Sequence, residues 1–193
     1  MNIKLKAKEF AIKAHDGQVR KAEPSKPYIV HPIGVAELLE SLGYDDNVIA
    51  AAYLHDVVED TNYTLEDIKK EFNSDVANLV DSVSETNKDL SWEERKYNMI
   101  HSIKEKPLRN KVISCSDKIN NIEALTRLLK ENGMKAFSSF KRSHDKQLWY
   151  YKSIYQSLVY EQDEKLPIFR RLKKDIALLE EEIKKQISLE NIS

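Results

Sequence analysis

His55 and Asp56 stand side by side in Ala-Ala-Tyr-Leu-His-Asp-Val-Val-Glu-Asp-Thr, residues 51–61, placing an imidazole and a carboxylate inside an apolar helical segment. Both are metal-ligand side chains, and so much polarity in an apolar run needs a compensating partner such as a cation. Adjacent residues on a helix diverge by about 100°, so the two can serve one ion only if it lies against the helix flank and other elements supply further ligands. His31, in Pro-Tyr-Ile-Val-His-Pro, and Asp117, in Ser-Cys-Ser-Asp-Lys-Ile-Asn-Asn, fit that requirement, each beside apolar neighbours. Two neutral imidazoles and two carboxylates without sulfur form a mixed nitrogen and oxygen set. Such a set suits Mn²⁺, Fe²⁺ or Zn²⁺ held with positions open to water and substrate better than a closed structural zinc site.

Glu59 and Asp60 follow four residues after His55 and Asp56. A helix continuing through Val57-Val58 stacks this second acidic pair one turn above the ligand pair. A metal lowers the pKa of its water from 15.7 towards about 7, and a neighbouring carboxylate can orient or deprotonate that water and pass the proton to a leaving group. Asn121 lies one turn beyond Asp117 on the same face, where its amide can bond a substrate or brace a ligand; its neighbour Asn120 is the competing choice. Arg20 and Lys21 sit in a loop holding Gly17, Pro24 and Pro27, and their cationic heads can reach phosphate oxygens, Arg two at once. Together these groups point to hydrolysis of a phosphate ester or anhydride. His15, His101 and His144 are isolated and read as surface or ordinarily hydrogen-bonded histidines, and the aromatic cluster Trp149 to Tyr155 reads as core.

The elements that must position these groups are helices. With four glycines and five prolines in 193 residues, punctuation is scarce, and apolar residues between the breaks recur at helical spacing, which predicts an all-α fold. A first helix covers roughly 2–16, a loop 16–27, and a second helix starts at Pro32 and closes at Gly43. Asp46 can cap a third that runs into His55-Asp56. Thr64 and Ser91 open capping-box patterns, a short helix spans 75–83, and a long one spans 107–131, ended by Asn132-Gly133. From Leu166 to Ile187 a narrow apolar stripe of Phe169, Leu172, Ile176, Leu179, Ile183 and Ile187 runs along a charged amphipathic helix, able to lie along the domain or against a second copy as a homo-oligomer contact.

Composition excludes several classes. Lys+Arg number 31 against 32 Asp+Glu, a net charge of −1, so no overall field draws nucleic acid or an anionic membrane. The single cysteine, Cys115, allows neither an internal disulfide nor a cysteine-rich zinc motif and suits a reducing compartment. No stretch approaches the roughly 18 apolar residues of a membrane span, and the N-terminus is too charged for a signal peptide, which makes a cytoplasmic setting the expectation.

A distant His, then His-Asp, then a distant Asp is the motif order of the HD-domain metallohydrolases, which this chain resembles through His31, His55-Asp56 and Asp117. The fuller stretches, Arg-Lys before Pro-Tyr-Ile-Val-His-Pro, Leu-His-Asp-Val-Val-Glu-Asp-Thr and Ser-Asp-Lys-Ile-Asn-Asn, are similar to the hydrolase domain of RelA/SpoT enzymes and the small stand-alone alarmone hydrolases. The resemblance covers roughly residues 3–155 and implies an HD-domain helical bundle; with the weak boundary near Glu161 to Pro167, the expected division is a metallohydrolase domain over 1–160 and a helical extension over 161–193. It also implies a Mn²⁺ ion on His31, His55, Asp56 and Asp117, with Glu59 and Asp60 managing the attacking water. Arg20, Lys21 and Asn121 would contact a guanine nucleotide, and the reaction would convert (p)ppGpp to GDP or GTP and pyrophosphate. Fewer than 80 residues follow Asp117 and they carry helical patterns, so synthetase activity is not expected. Two rival readings share the site: a phosphohydrolase for another nucleotide, and a non-catalytic nucleotide sensor. The Glu59-Asp60 pair speaks against the sensor, because a second acidic shell repels a merely bound phosphate.

Overall fold

The computed structural model describes residues 2–85 and 87–191. Its helices are α1 (Ile3–Ala14), α2 (Val30–Ser41), α3 (Asp46–Leu54), α4 (Val57–Asp60), α5 (Leu65–Glu71), α6 (Ser74–Asp81), α7 (Trp92–Lys104), α8 (Leu108–Asn132), α9 (His144–Val159) and α10 (Pro167–Glu190), with a 3-10 turn over Gly133–Phe137. The organising element is α3. Every residue from Val48 to Leu54 is buried, which leaves no polar face and forces neighbours onto all sides of the helix: α1, α2, α6 and α8 pack against it. Three alanines in a row, Ala50 to Ala52, let those helices approach closely, and truncating a fully buried Leu54 to alanine would cost about 2–5 kcal/mol.

Local signals set the helix starts. Thr64 with Asp67 and Ser91 with Glu94 form reciprocal capping boxes, as their sequence patterns predict. The cap of α3 is Asp45 rather than Asp46: its carboxylate accepts the N–H groups of both Asn47 and Val48, and Arg109 clamps it from α8. The second helix begins at Val30, with Pro32 inside its first turn, where the missing N–H costs nothing.

The region expected to be a loop over 16–27 holds a small antiparallel hairpin, β1 (Val19–Arg20) against β2 (Glu23–Pro27), registered Val19 to Pro27 and Arg20 to Glu23. Its prolines mask a strand in the sequence, because they remove ladder donors from one edge, yet the pairing survives with Glu23 held by Arg127 of α8 at 2.6 Å. The hairpin is thereby fixed over α8, and Arg20 is carried with it.

The stripe of α10 lies along the chain itself. Ile168, Phe169, Leu172, Ile176, Leu179 and Ile183 are buried where α10 packs on α8 and α9, so the apolar face that a second copy could have used is occupied within the molecule. The aromatic run forms α9, burying Tyr150, Tyr151 and Tyr155 while Trp149 stays exposed. Cys115 is fully buried and burial raises its thiol, consistent with packing. Among the described residues no helix is long and apolar enough to cross a membrane.

Candidate active site

His31 comes from the first turn of α2, His55 and Asp56 from the break between α3 and α4, and Asp117 from the middle of α8. Burial of α3 and α8 brings these sequence-distant groups to one point. His31 Nε2 lies 3.2 Å from Asp117 Oδ1 and 3.6 Å from Asp56 Oδ2, while His55 Nε2 lies 3.2 Å from Asp56 Oδ2 and 3.9 Å from Asp117 Oδ1. One ligand atom from each of His31, His55 and Asp117 falls within 4.8 Å of the others, the reach of a single ion. Asp56 joins through the oxygen that touches both imidazoles.

The far sides of the rings say what belongs in the middle. His55 Nδ1 meets the Ala52 carbonyl at 2.8 Å; a carbonyl only accepts, so the ring proton sits on Nδ1 and the Nε2 lone pair faces the cluster. His31 Nδ1 meets Asn120 Oδ1 at 2.6 Å with the same consequence. Ring lone pairs and carboxylate oxygens thus face each other with no proton between them, and His55 Nε2 is buried without a hydrogen-bond partner. Acceptors converging at this range repel unless a cation lies among them, so the donor set fits a divalent metal.

Both aspartates are braced. Asp117 Oδ2 takes the buried Lys118 ammonium at 2.5 Å and its Oδ1 takes the Asn121 amide at 2.5 Å. Burial works to raise the Asp117 carboxyl, but the adjoining Lys118 ammonium holds the group well below the usual carboxylate range. Asp56 Oδ2 accepts the Tyr28 hydroxyl at 2.5 Å. Burial and the carboxylates of Asp56, Asp60 and Asp117 push the Tyr28 phenol up, so it remains a donor.

Glu59 and Asp60 part company. The helix breaks at His55-Asp56 and restarts at Val57, so α4 turns Glu59 inward and leaves Asp60 exposed at the mouth beside Lys88, at 3.1 Å. Burial, then repulsion from Asp56, Glu85 and Asp60, pushes the Glu59 carboxyl up to about 7, against the opposing pull of the Glu85 N–H that donates to Oε2 at 3.0 Å. A carboxyl titrating near neutrality can both take and return a proton under physiological conditions.

These groups line one side of a cavity of about 690 Å³, whose other walls include Arg20, Lys21, Arg95, Lys96, Lys118 and Asn121. Arg20 donates to Asn121 Oδ1 at 3.1 Å, so one asparagine ties Asp117 to the hairpin cation, while Lys21 stands exposed at the rim. Sequence reasoning missed Tyr28, Glu85, Lys96 and Lys118, and expected Tyr150 and Tyr151 to be core only, whereas both also line the cavity. Lys118 had a legible signal, a cation on a buried helix directly after a candidate ligand aspartate. Glu85 had none, because its position depends on the chain from α6 to α7 folding over Glu59; its carboxylate accepts Lys96 at 2.7 Å and Arg95 at 3.4 Å.

Asn120, considered above as an alternative to Asn121 for substrate, braces His31 instead. Gly34 of α2 leaves room for that amide: a Cβ at this position would collide with Asn120 Nδ2. Gly34→Ala should therefore displace the His31 brace and weaken divalent-metal binding by about 10–100-fold with the fold retained. Metal titration followed by calorimetry, together with circular dichroism, checks it; unchanged affinity would show that Asn120 is not a brace.

A family profile described as HD domain matches residues 7–141. The chain is 40% identical over 129 residues to a Xenopus tropicalis protein named guanosine-3′,5′-bis(diphosphate) 3′-pyrophosphohydrolase MESH1, a match covering 66% of this chain and 72% of that one. It is 36% identical over 121 residues to the Haemophilus influenzae guanosine-3′,5′-bis(diphosphate) 3′-pyrophosphohydrolase, covering 60% of this chain but 17% of that longer protein. A solved structure described as a metazoan ortholog of SpoT that hydrolyzes ppGpp superposes with a TM-score of 0.77 at 29% identity, over 92% of this chain and 95% of that one.

Proposed function

The chain belongs to the HD domain family, and from that premise we propose that it hydrolyses guanosine 3′,5′-bis(diphosphate), ppGpp or pppGpp, to GDP or GTP and pyrophosphate, with no synthetase activity. The observation that carries the reading is the convergence of His31, His55, Asp56 and Asp117, with both imidazole lone pairs turned inward, inside a cation-walled cavity, with Glu59 poised near neutrality beside it.

His31, His55, Asp56 and Asp117 would hold the divalent metal, which we take to be Mn²⁺ from the resemblance to the alarmone hydrolases, the sulfur-free donor set by itself suiting Fe²⁺ and Zn²⁺ equally. When bound, it supplies Lewis acidity toward a phosphate oxygen and toward water. Arg20, with Lys96 across the cavity, receives the 3′-diphosphate and sets its proximal phosphorus in line with the attacking water, while Lys21 contacts the nucleotide from the rim. Glu59 takes a proton from that water as its oxygen bonds to phosphorus. As the bond from phosphorus to the ribose 3′ oxygen breaks, the proton returns to that oxygen, and pyrophosphate and a 3′-hydroxyl leave. Asp60, at the mouth, passes protons between Glu59 and solvent. Asn121 holds Asp117 and Arg20 in register and contacts the nucleotide. Residues 1–160 form the catalytic unit, 161–193 act as a helical extension bracing α8, and the setting we propose is the cytoplasm.

Incubating the purified protein and Mn²⁺ with ppGpp, pppGpp and nucleotides bearing a 2′- or 3′-monophosphate, then separating pyrophosphate from phosphate, tests this. Pyrophosphate from ppGpp or pppGpp supports the assignment. Phosphate from a monophosphate with nothing from ppGpp overturns it.

A further inference from the structure

A second hollow of about 580 Å³ adjoins the active cavity, lined by Lys21, Glu131, Asn132, Lys135, Ser138 and Ser139 among others. Lys21, Ala22 and Ser139 line both spaces, so the two share a wall. The outer hollow exists because Gly133, at φ +60°, ends α8 and hands the chain to the 3-10 turn that carries Lys135. Among the described residues, the ammonium groups of Lys21 and Lys135 have no hydrogen-bond or ion-pair partner. Nearby cations differ: Lys26 and Arg127 are both spent on Glu23, each at 2.6 Å. Both lysines that line this hollow are therefore uncompensated.

Resting on the reading above, we infer that the outer hollow takes the 5′-phosphate chain of the substrate, with Lys21 at the junction and Lys135 at the far end. A nucleotide whose 3′-diphosphate occupies the metal centre carries a second polyanion on the other side of its ribose. Toward Glu59, Asp60 and Glu85 that chain would meet carboxylates whose neighbouring cations, Lys88, Lys96 and Arg95, are already engaged. The route past Lys21 leads instead to a pair of uncompensated cations and the hydroxyls of Ser138 and Ser139. Glu131 in the same hollow makes the sign at Lys135 decisive, since without that charge the acid alone would face the terminal phosphate. A longer 5′ chain reaches Lys135 better, so pppGpp is the preferred substrate over ppGpp.

Steady-state kinetics of the wild-type protein, Lys135→Glu and Lys135→Arg with pppGpp, ppGpp and guanosine 3′-diphosphate, which lacks 5′ phosphates, test the inference. Charge reversal should raise KM for pppGpp about tenfold relative to guanosine 3′-diphosphate and that for ppGpp about threefold, with Lys135→Arg close to wild type. The discrimination should shrink in about 0.5 M salt. An unchanged KM ratio in Lys135→Glu overturns the subsite while leaving the hydrolase reading intact. If the wild type hydrolyses none of the three, the hydrolase reading falls and the subsite with it.

Discussion

Asp117→Ala is expected to abolish divalent-metal binding, to lower turnover by at least about a thousandfold, and to destabilise the metal-free fold by about 3–5 kcal/mol. The first two effects follow from the Oδ1 atom that meets His31 at 3.2 Å and shares the reach of one ion with His55. The third follows from Lys118. Its ammonium is buried, and although burial works to lower its pKa, Asp117, Tyr150 and Glu85 outweigh that and keep it charged; without Asp117 a buried cation loses its closest counter-ion. The double variant Asp117→Ala/Lys118→Met removes the orphaned charge and should recover most of the stability but none of the turnover. Urea denaturation of the metal-free proteins and calorimetric metal titration separate the two effects. Turnover within tenfold of wild type in Asp117→Ala would end the metal-ligand assignment.

Glu59→Gln should keep metal affinity within a few-fold of wild type while lowering kcat by about 10²–10⁴. It should also remove the acid limb of the rate profile. Only the carboxylate accepts a proton, so the wild-type rate rises with pH as Glu59 ionises, around 7 in the metal-free site and lower once a cation favours the charged form. Stability carries the same signature with the opposite sign. Because the folded-state pKa lies above the ordinary 4.5, the folded chain holds the proton more tightly, a contribution that is complete below about 4.5 and lost as pH rises to about 7. At about pH 8 the metal-free wild type therefore carries an unfavourable, largely buried charge that glutamine lacks, and the variant should melt higher; at about pH 4 the two should melt together. A variant with wild-type kcat, or one no more stable than wild type at the higher pH, would show that Glu59 is not the proton acceptor.

The helical class was legible because the breaks are few and the caps are local. Thr64 with Asp67 and Ser91 with Glu94 close their boxes within three residues, so nothing distant could alter them. The hairpin at Val19–Pro27 was not legible, since Pro24 and Pro27 disguise the strand and the contact tying it to α8, Glu23 with Arg127, joins residues more than 100 positions apart. The C-terminal stripe had a readable period and an unreadable partner: the spacing of Phe169, Leu172 and Ile176 is the same whether the face meets another copy or α8 and α9, and only packing chose the latter.

By itself the sequence determined the inventory of the candidate site: which residues carry atoms able to ligate a metal, that none is sulfur, and that His55-Asp56 lies in an apolar run where its polarity needs a compensating partner. Ligand identity is a property of side-chain chemistry and is written residue by residue. Tertiary structure alone decided how those groups are used. Packing around α3 and α8 aimed the two imidazole lone pairs at one point, turned Glu59 inward and Asp60 outward, and folded Glu85 over Glu59 so that burial and like charge raised its carboxyl. Such shifts arise from desolvation and distance, which exist only once segments remote in the chain share a volume of a few ångströms.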